Sequence, residues 1–108
     1  MTVLHEEIEK EFELADQARA KGNEGQARVC ARRAAGIAVR ESLTRRGMPV
    51  GNASAYDLLK LLKDDPLLPP DLKLIADHLT LRVTEEFKLP VDADLIAEAR
   101  TLCNELLK

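Results

Sequence analysis

The sequence predicts an all-α protein, an antiparallel four-helix-type bundle of the up-down kind whose middle element is broken by prolines into two short helices. Aromatic residues make up only 3% of the chain and apolar residues 45%, so the core must come from Leu, Ile, Val and Ala, which suits packed helices better than strands. Apolar residues recur at steps of three and four, without the alternation that is typical of strands. The length of 108 residues predicts a single domain over residues 1–108.

The first helix is predicted to begin after Thr2, whose hydroxyl can accept a hydrogen bond from the first backbone amides. Its apolar stripe consists of Leu4, Ile8, Phe12, Ala15 and Ala18. Lys21 and Gly22 are expected to end it, because glycine adopts the left-handed conformation that closes helices. Asn23 is predicted to cap the next helix at once, with Gln26 as its reciprocal partner. So short a connection predicts an antiparallel helix pair.

The second helix is predicted from about Glu24 to Arg46, with Gly47 as its end. It carries two apolar surfaces on opposite sides of the helical wheel. The broad surface consists of Ala27, Cys30, Ala31, Ala34, Ile37 and Ala38, and the narrow one of Val29, Gly36 and Leu43. A helix that is apolar on two sides contacts two neighbours, so we expect this helix at the centre of the bundle.

Two short helices are predicted in the middle of the chain. Ser54 and Asp57 form a capping box that opens the third helix through "AYDLLKLLK". The segment 64–66, Asp-Asp-Pro, ends that helix, and "PLLPP" follows as a rigid connector. Pro70 suits the first turn of a fourth helix over residues 70–83.

The last helix is predicted to be capped by Asp92, with Val91 and Ile96 in contact as a hydrophobic staple. Its core positions are Leu95, Ala99, Leu102 and Leu106. Cys30 and Cys103 lie in apolar helical stretches without a second Cys or His at metal-ligand spacing, which predicts buried, reduced, structural thiols.

Charge is distributed unevenly along the chain, whose net charge is −3. Residues 1–24 carry seven acids and three bases, whereas residues 25–47 carry six bases and one acid. Arg28, Arg32 and Arg46 share a face and could contact the phosphates of a nucleic acid with salt-sensitive affinity. The alternative, which we favour because aromatic residues for base stacking are scarce, is pairing with carboxylates of the first helix. Those carboxylates are Glu6, Glu9, Glu13 and Asp16.

Several of these features together resemble a HEPN domain, a small helical module found beside nucleotidyltransferases and in some toxin–antitoxin pairs. The resemblance rests on the first helical pair, the Ala-rich "ARVCARRAAGIAVRE", the broken middle, an arginine after the fourth-helix stripe and the ending "DADLIAEARTLCNELL". Ribonuclease members of that family carry an Arg followed four to six residues later by a His. Arg82 stands where that Arg is expected, but "VTEEFKLPVD" follows it and contains no histidine. Members that lack the motif act as binding or partner modules, are often dimeric and place the site region at the dimer seam.

The fourth helix carries another pair of residues, His78 and Arg82, that could replace the missing Arg…His motif in catalysis. His78 and Arg82 are four residues apart on one face, which could place a general base beside a cation that stabilises the charge of a phosphorane, as metal-independent RNA cleavage requires. The order of the two residues is reversed relative to the family motif.

The absence of other motifs narrows the functional classes. The sequence contains no HExxH, CxxC or glycine-rich phosphate loop, so we expect no metal and no cofactor. No apolar run approaches the roughly 18 residues that span a membrane, and the acidic "MTVLHEEIEK" lacks an apolar signal core, so we expect a cytoplasmic protein. We expect a non-catalytic or cryptic HEPN-like module that acts through protein association as a homodimer, with a partner such as a nucleotidyltransferase. The alternatives are a ribonuclease toxin that uses Arg82 and His78, or a non-catalytic nucleic-acid-binding protein.

Overall fold

The computed structural model describes residues 3–81 and 93–108, and in these ranges the chain forms five α-helices and no strand. The prediction of an all-helical protein is therefore confirmed. The helices are α1 Val3–Ala20, α2 Glu24–Arg45, α3 Ala55–Lys63, α4 Pro70–Leu79 and α5 Leu95–Leu106. α2 packs against α1, α3 and α5, and α4 packs against α3 and α5.

The central position predicted for α2 is confirmed. Nine of its residues are buried, and they include members of both apolar surfaces that the sequence predicts: Ala27, Cys30, Ala31, Ala34, Ala35, Gly36, Ala38, Val39 and Leu43. Most are small, which lets neighbouring backbones come close. Gly36 shows this best, because a Cβ built there would lie 2.6 Å from the Cβ of Ala55 at the start of α3.

The turn between α1 and α2 follows the prediction in all but one bond. Gly22 has a φ of +77°, and the side chain of Asn23 accepts a hydrogen bond from the backbone amide of Gln26 at 3.1 Å. The reciprocal half of the predicted capping box is wrong. The amide of Asn23 donates instead to the carbonyl of Ala18 at 2.8 Å, so the side chain of Gln26 is left to donate to Sγ of Cys30 at 3.6 Å.

α3 begins at the predicted cap, Ser54, but the bond from the Ser54 amide to the Asp57 side chain that completes the predicted capping box is not formed. Oγ of Ser54 accepts a hydrogen bond from the amide of Asp57 at 3.1 Å. α4 is shorter than predicted. α4 ends at Leu79 and not at residue 83, with Thr80 as its C-cap. The hydroxyl of Thr80 donates a hydrogen bond to the carbonyls of Ala76 and Asp77, and its oxygen lies 3.0 Å from each of them. The Thr80 hydroxyl therefore bonds carbonyls at the end of α4 that would otherwise accept hydrogen bonds from a further helical turn.

The start of α5 is a second correction. Asp94, and not Asp92, is the N-cap, because its Oδ1 accepts a hydrogen bond from the amide of Ala97 at 3.2 Å. The same carboxylate pairs with Arg19 of α1 at 3.0 Å, an ion pair that no local pattern indicates. Partial burial would raise the pKa of Asp94, but the Ala97 amide and the Arg19 guanidinium outweigh it, so the pKa is lowered. The predicted staple partner Val91 lies outside the described residues.

The core is continuous through the five helices. Its largest fully buried side chains are Phe12, Cys30, Val39, Leu43, Leu58, Leu59, Leu62, Leu79 and Leu102. Cys30 and Cys103 are buried free thiols, as the sequence predicts. Among the described residues, no helix combines the length and the apolar character needed to cross a membrane.

Candidate functional site at the C-terminal end of α4

Side chains from three other helices converge on the last turn of α4, where His78 lies. Arg32 comes from α2, Lys63 from α3 and Glu98 from α5. We call these four residues the α4-end cluster. The C-terminal end of a helix carries unsatisfied carbonyls and a partial negative charge, so cations from α2 and α3 are stabilised there.

His78 and Glu98 form the most enclosed polar pair of the cluster. Nδ1 of His78 lies 2.7 Å from Oε1 of Glu98, and the two side chains are 18% and 23% exposed. An ionised carboxylate only accepts hydrogen bonds, so Nδ1 carries the ring proton and donates a hydrogen bond to Glu98. In the neutral ring, Nε2 is then the acceptor and has the character of a general base. The bond also ties α4 to α5.

Arg32 caps the end of α4. Its Nε donates to the carbonyl of Leu79 at 2.8 Å, and that carbonyl is one of the groups left unpaired at the end of the helix. Burial lowers the pKa of the Arg32 guanidinium, and the like charge of Arg28 acts in the same direction. Arg32 therefore holds α2 and α4 together.

Lys63 completes the cluster from the side of α3. Its Nζ lies 3.0 Å from Oδ1 of Asp77 and donates to Oγ1 of Thr80 at 3.4 Å. Asp77 is half exposed, so this ion pair is screened and contributes at most about 1 kcal/mol. Lys63 therefore ties the end of α3 to the last turn and the C-cap of α4.

The structure brings some of the predicted site residues together and separates others. Arg28 and Arg32 are one turn apart on α2, and Arg32 reaches the carbonyl that follows His78. Arg46 lies 14 residues beyond Arg32, which is about 21 Å along an α-helix. Arg82 lies outside the described residues.

The partners of the three arginines differ. Arg46 forms an ion pair with Asp65 at 2.5 Å, and this contact holds the pKa of that carboxyl below its ordinary value. Arg32 is bonded to the carbonyl of Leu79. Within residues 3–81 and 93–108, Arg28 makes no hydrogen bond or ion pair. Nucleic-acid contact through these three arginines stays a prediction, with Arg28 as the member free to make it.

The predicted pairing between the acids of α1 and the arginines of α2 is wrong. Glu9 and Asp16 lie 3.5 and 3.6 Å from the guanidinium of Arg100, which belongs to α5. That guanidinium also stacks on Phe12, 4.3 Å from the ring centroid. Glu9 and Asp16 are therefore turned toward α5. Three arginines of α2 bind the α3–α4 side of the molecule instead, namely Arg32, Arg40 and Arg46. Arg40, for example, donates to the carbonyls of Gly51 and Ala53, at 2.7 Å each.

Sequence reasoning missed Lys63 and Glu98 as members of the cluster. In the sequence, Glu98 is an acid in the first turn of a helix, where the helix dipole alone accounts for a negative charge. Lys63 reads as a base in a last turn for the same reason. Only the packing of α3, α4 and α5 reveals their contacts with α4.

Two of the surface grooves that the described residues form lie away from this cluster and are lined mainly by apolar surface. The first, of about 320 Å³, lies between the end of α2, the α3–α4 connector and the end of α5. We call it the leucine groove, after its apolar lining of Leu62, Leu67, Leu68, Leu72 and Leu106. The second, of about 450 Å³, lies between α1, α2 and the start of α3. Among the described residues, no group of three or more His, Cys, Asp or Glu is placed to hold a metal ion.

Comparisons with protein-family models, with curated proteins and with solved structures give no match for this chain.

Proposed function

We propose that this protein is a non-catalytic helical association module that forms a homodimer through the leucine groove. The observation that carries the proposal is Leu67, whose side chain is 86% exposed at the edge of that groove. A large aliphatic side chain held in water next to an apolar depression is typical of a surface that binds another protein.

A second copy of the chain fits this surface because the surface contains both a projection and a recess. Symmetric dimers use the same patch on both subunits, so each patch must complement itself. Leu67 supplies the projection, and Leu62, Leu68 and Leu72 form the floor of the recess. At the rim, Arg46 and Asp65 carry opposite charges, so two copies related by a twofold axis can place unlike charges opposite each other.

The resemblance to HEPN domains supports a wider role for such a dimer. We propose an up-down arrangement of the helices and a cytoplasmic role in a two-component system, with a nucleotidyltransferase or a toxin–antitoxin partner as the second component. Co-expression with the product of an adjacent gene, followed by co-purification, tests this role. A chain that forms no complex with such a product overturns the two-component part and leaves the homodimer to its own test.

Light scattering on a sizing column tests the dimer. Each subunit has a mass of 12.0 kDa, so the wild-type protein is expected to elute at twice that mass at high micromolar concentration. Leu67→Glu places a charge in the recess of the partner and is expected to give the monomer mass. Leu14→Glu is the matched control, because Leu14 is a partly exposed leucine on α1, outside the groove. A wild-type protein that is monomeric at every concentration refutes the proposal.

The His78–Glu98 bond favours one second candidate function, metal-independent cleavage of RNA. With Nδ1 held by Glu98 at 2.7 Å, Nε2 of His78 would take the proton of a ribose 2′-hydroxyl as that oxygen attacks the adjacent phosphorus. The 5′-oxygen of the next nucleotide leaves and takes a proton from water, and a 2′,3′-cyclic phosphate remains. Arg82 would stabilise the negative charge that develops on the phosphorane.

Incubation of labelled RNA with the purified protein and EDTA tests this candidate. Cleavage is expected to fall by at least about a hundredfold in His78→Ala and to fall also in Arg82→Ala. His5→Ala is the control, since His5 lies on α1. Intact RNA with the wild-type protein, or cleavage that survives in His78→Ala, excludes the activity.

A further inference from the structure

The groove between α1, α2 and the start of α3 combines an apolar floor with carboxylates at its wall. Leu4, Ile37 and Leu58 supply the floor, and Glu7 and Glu11 lie on the α1 side. Its volume of about 450 Å³ is in the range of small-molecule sites, which are mostly apolar with a few convergent polar groups.

Glu11 carries an unusual atom. Its Oε2 is buried and makes no hydrogen bond within the described residues. A buried polar atom without a partner is rare, and a charged one is the most costly kind, so it indicates either a cost borne by the fold or a ligand that satisfies it. Glu7 stands one helical turn before Glu11, and both carboxylates border the same groove.

The other charged groups of the groove are already engaged or turned to solvent. Both terminal nitrogens of Arg40 donate to backbone carbonyls of the α2–α3 loop, at 2.7 Å each. Glu41 forms an ion pair with Arg45 at 2.9 Å. Arg33 is exposed and makes no ion pair among the described residues. The buried side-chain atom of the groove that makes no hydrogen bond among the described residues is therefore a carboxylate oxygen, Oε2 of Glu11.

We propose that this groove binds a small organic cation, a primary ammonium group on an aliphatic body. The ammonium has three donors and can bond to the carboxylates of Glu11 and Glu7 together, with a rotation of the Glu11 carboxylate bringing its unbonded oxygen to the ligand. The aliphatic body contacts Leu4, Ile37 and Leu58 and leaves water. A bare metal ion fits less well, because among the described residues no group of three such ligands exists.

Calorimetric titration with n-hexylammonium chloride tests the proposal, with n-hexanol and sodium hexanoate as probes of the same chain length. The ammonium is expected to bind at least about tenfold more tightly than either, because a charge-assisted hydrogen bond to a buried carboxylate is lost in both. Glu11→Gln is expected to weaken the binding of hexylammonium by a similar factor. Glu13→Gln is the matched control, because Glu13 is an exposed glutamate of α1 that does not line the groove.

Circular dichroism and thermal melting of each variant show that it is folded. The proposal is overturned if hexylammonium gives no binding, if hexanol binds equally well, or if folded Glu11→Gln binds hexylammonium with the wild-type constant. A Glu11→Gln variant that is more stable than the wild type and lacks any ammonium selectivity shows that the unpaired oxygen is only a cost to the fold. An Arg33→Met variant that binds hexylammonium less tightly also contradicts the proposal, since Arg33 would repel the ligand.

Discussion

Arg32 and Arg33 are neighbours in α2 with opposite surroundings. Arg32 is half-buried and its Nε donates to the carbonyl of Leu79 at 2.8 Å, whereas Arg33 is exposed and makes no ion pair in the part of the chain that the structure describes. Successive side chains of an α-helix point about 100° apart around its axis. Arg32 therefore faces α4, whereas Arg33 faces solvent. The sequence predicts that Arg32 shares a face with Arg28 and Arg46, but it does not identify a backbone carbonyl as the partner of Arg32.

Replacing each of these arginines by methionine separates the two roles. Arg32→Met is expected to lower the free energy of unfolding by about 1.5–3 kcal/mol, because a charge-assisted hydrogen bond to a helix end is lost. Arg33→Met is the control and is expected to change it by less than about 0.5 kcal/mol. Urea unfolding followed by circular dichroism measures both. Equal effects of the two substitutions would show that the contact with Leu79 does not stabilise the fold.

Cys103 illustrates how burial changes chemical reactivity. The thiol donates to the carbonyl of Ala34 at 3.6 Å, and burial raises its pKa to about 12, with the charge of Glu9 acting in the same direction. The thiolate is the reactive form, and it appears only as the pH rises through the pKa. At pH 8 the thiolate fraction is about a thousandfold smaller than for a thiol with the ordinary pKa of 9.0.

We therefore expect Cys103 to resist alkylation in the native protein. Iodoacetamide at pH 8 should modify it at least about a thousandfold more slowly than in 6 M urea, with peptide mass spectrometry as the readout. A Cys30→Ser variant keeps the signal specific to Cys103. Rapid modification of the folded variant would show that the α2–α5 interface opens far more readily than its packing implies.

At the scale of the helices, local chemistry predicted more than long-range contacts. The caps at Asn23 and Ser54 follow from short sequence patterns, and both are formed. The sequence predicts the cap of α5 two residues too early, because Asp92 and Asp94 are equivalent as local signals. Asp94 also forms an ion pair with Arg19, a residue 75 positions earlier. A pattern of a few neighbouring residues cannot predict a contact between residues so far apart in the sequence.

Gly36 fixes the distance between α2 and α3. Gly36→Ala is expected to lower the free energy of unfolding by about 1–3 kcal/mol, because the new Cβ would lie 2.6 Å from the Cβ of Ala55. The better helix propensity of alanine, worth about 1 kcal/mol, offsets only part of this. Adding Ala55→Gly removes the colliding Cβ and is expected to recover part of the loss.

Gly25→Ala provides the control for that experiment. Gly25 also lies in α2, but a Cβ there meets only Oδ1 of Asn23 at 3.9 Å, so the substitution should leave the stability unchanged or raise it by up to about 1 kcal/mol. Chemical denaturation of Gly36→Ala, of Ala55→Gly and of the double variant that carries both substitutions measures the coupling between Gly36 and Ala55. Gly25→Ala is measured in the same way. Additive effects in the double variant would show that the two positions do not touch.

At the scale of the whole molecule, the sequence predicted the helical class and the central helix but not the contacts of the candidate site. Small and aliphatic residues at helical spacing are a direct consequence of burial, so α2 could be recognised from its two apolar surfaces. The α4-end cluster arises because α3, α4 and α5 meet, and its members are ordinary polar residues of separate helix ends. His78 was singled out for its chemistry, yet its partner Glu98 became evident only from the packing of α5.

The central position of α2 makes a prediction about how the whole fold opens. α2 contacts α1, α3 and α5 and is buried on several sides, so its backbone amides are exposed only when the molecule unfolds globally. α4 has ten residues between a proline-rich connector and Thr80, and it packs mainly against α3 and α5, with Arg32 as its bond to α2. Native-state hydrogen exchange by NMR is expected to give residues 31–39 the free energy of global unfolding. The amides of α4 should exchange at least about tenfold faster, through a local opening that costs at least about 1.4 kcal/mol less. Equal protection of α4 and α2 would show instead that Arg32, Lys63 and Glu98 bind α4 into one cooperative unit with the rest of the fold.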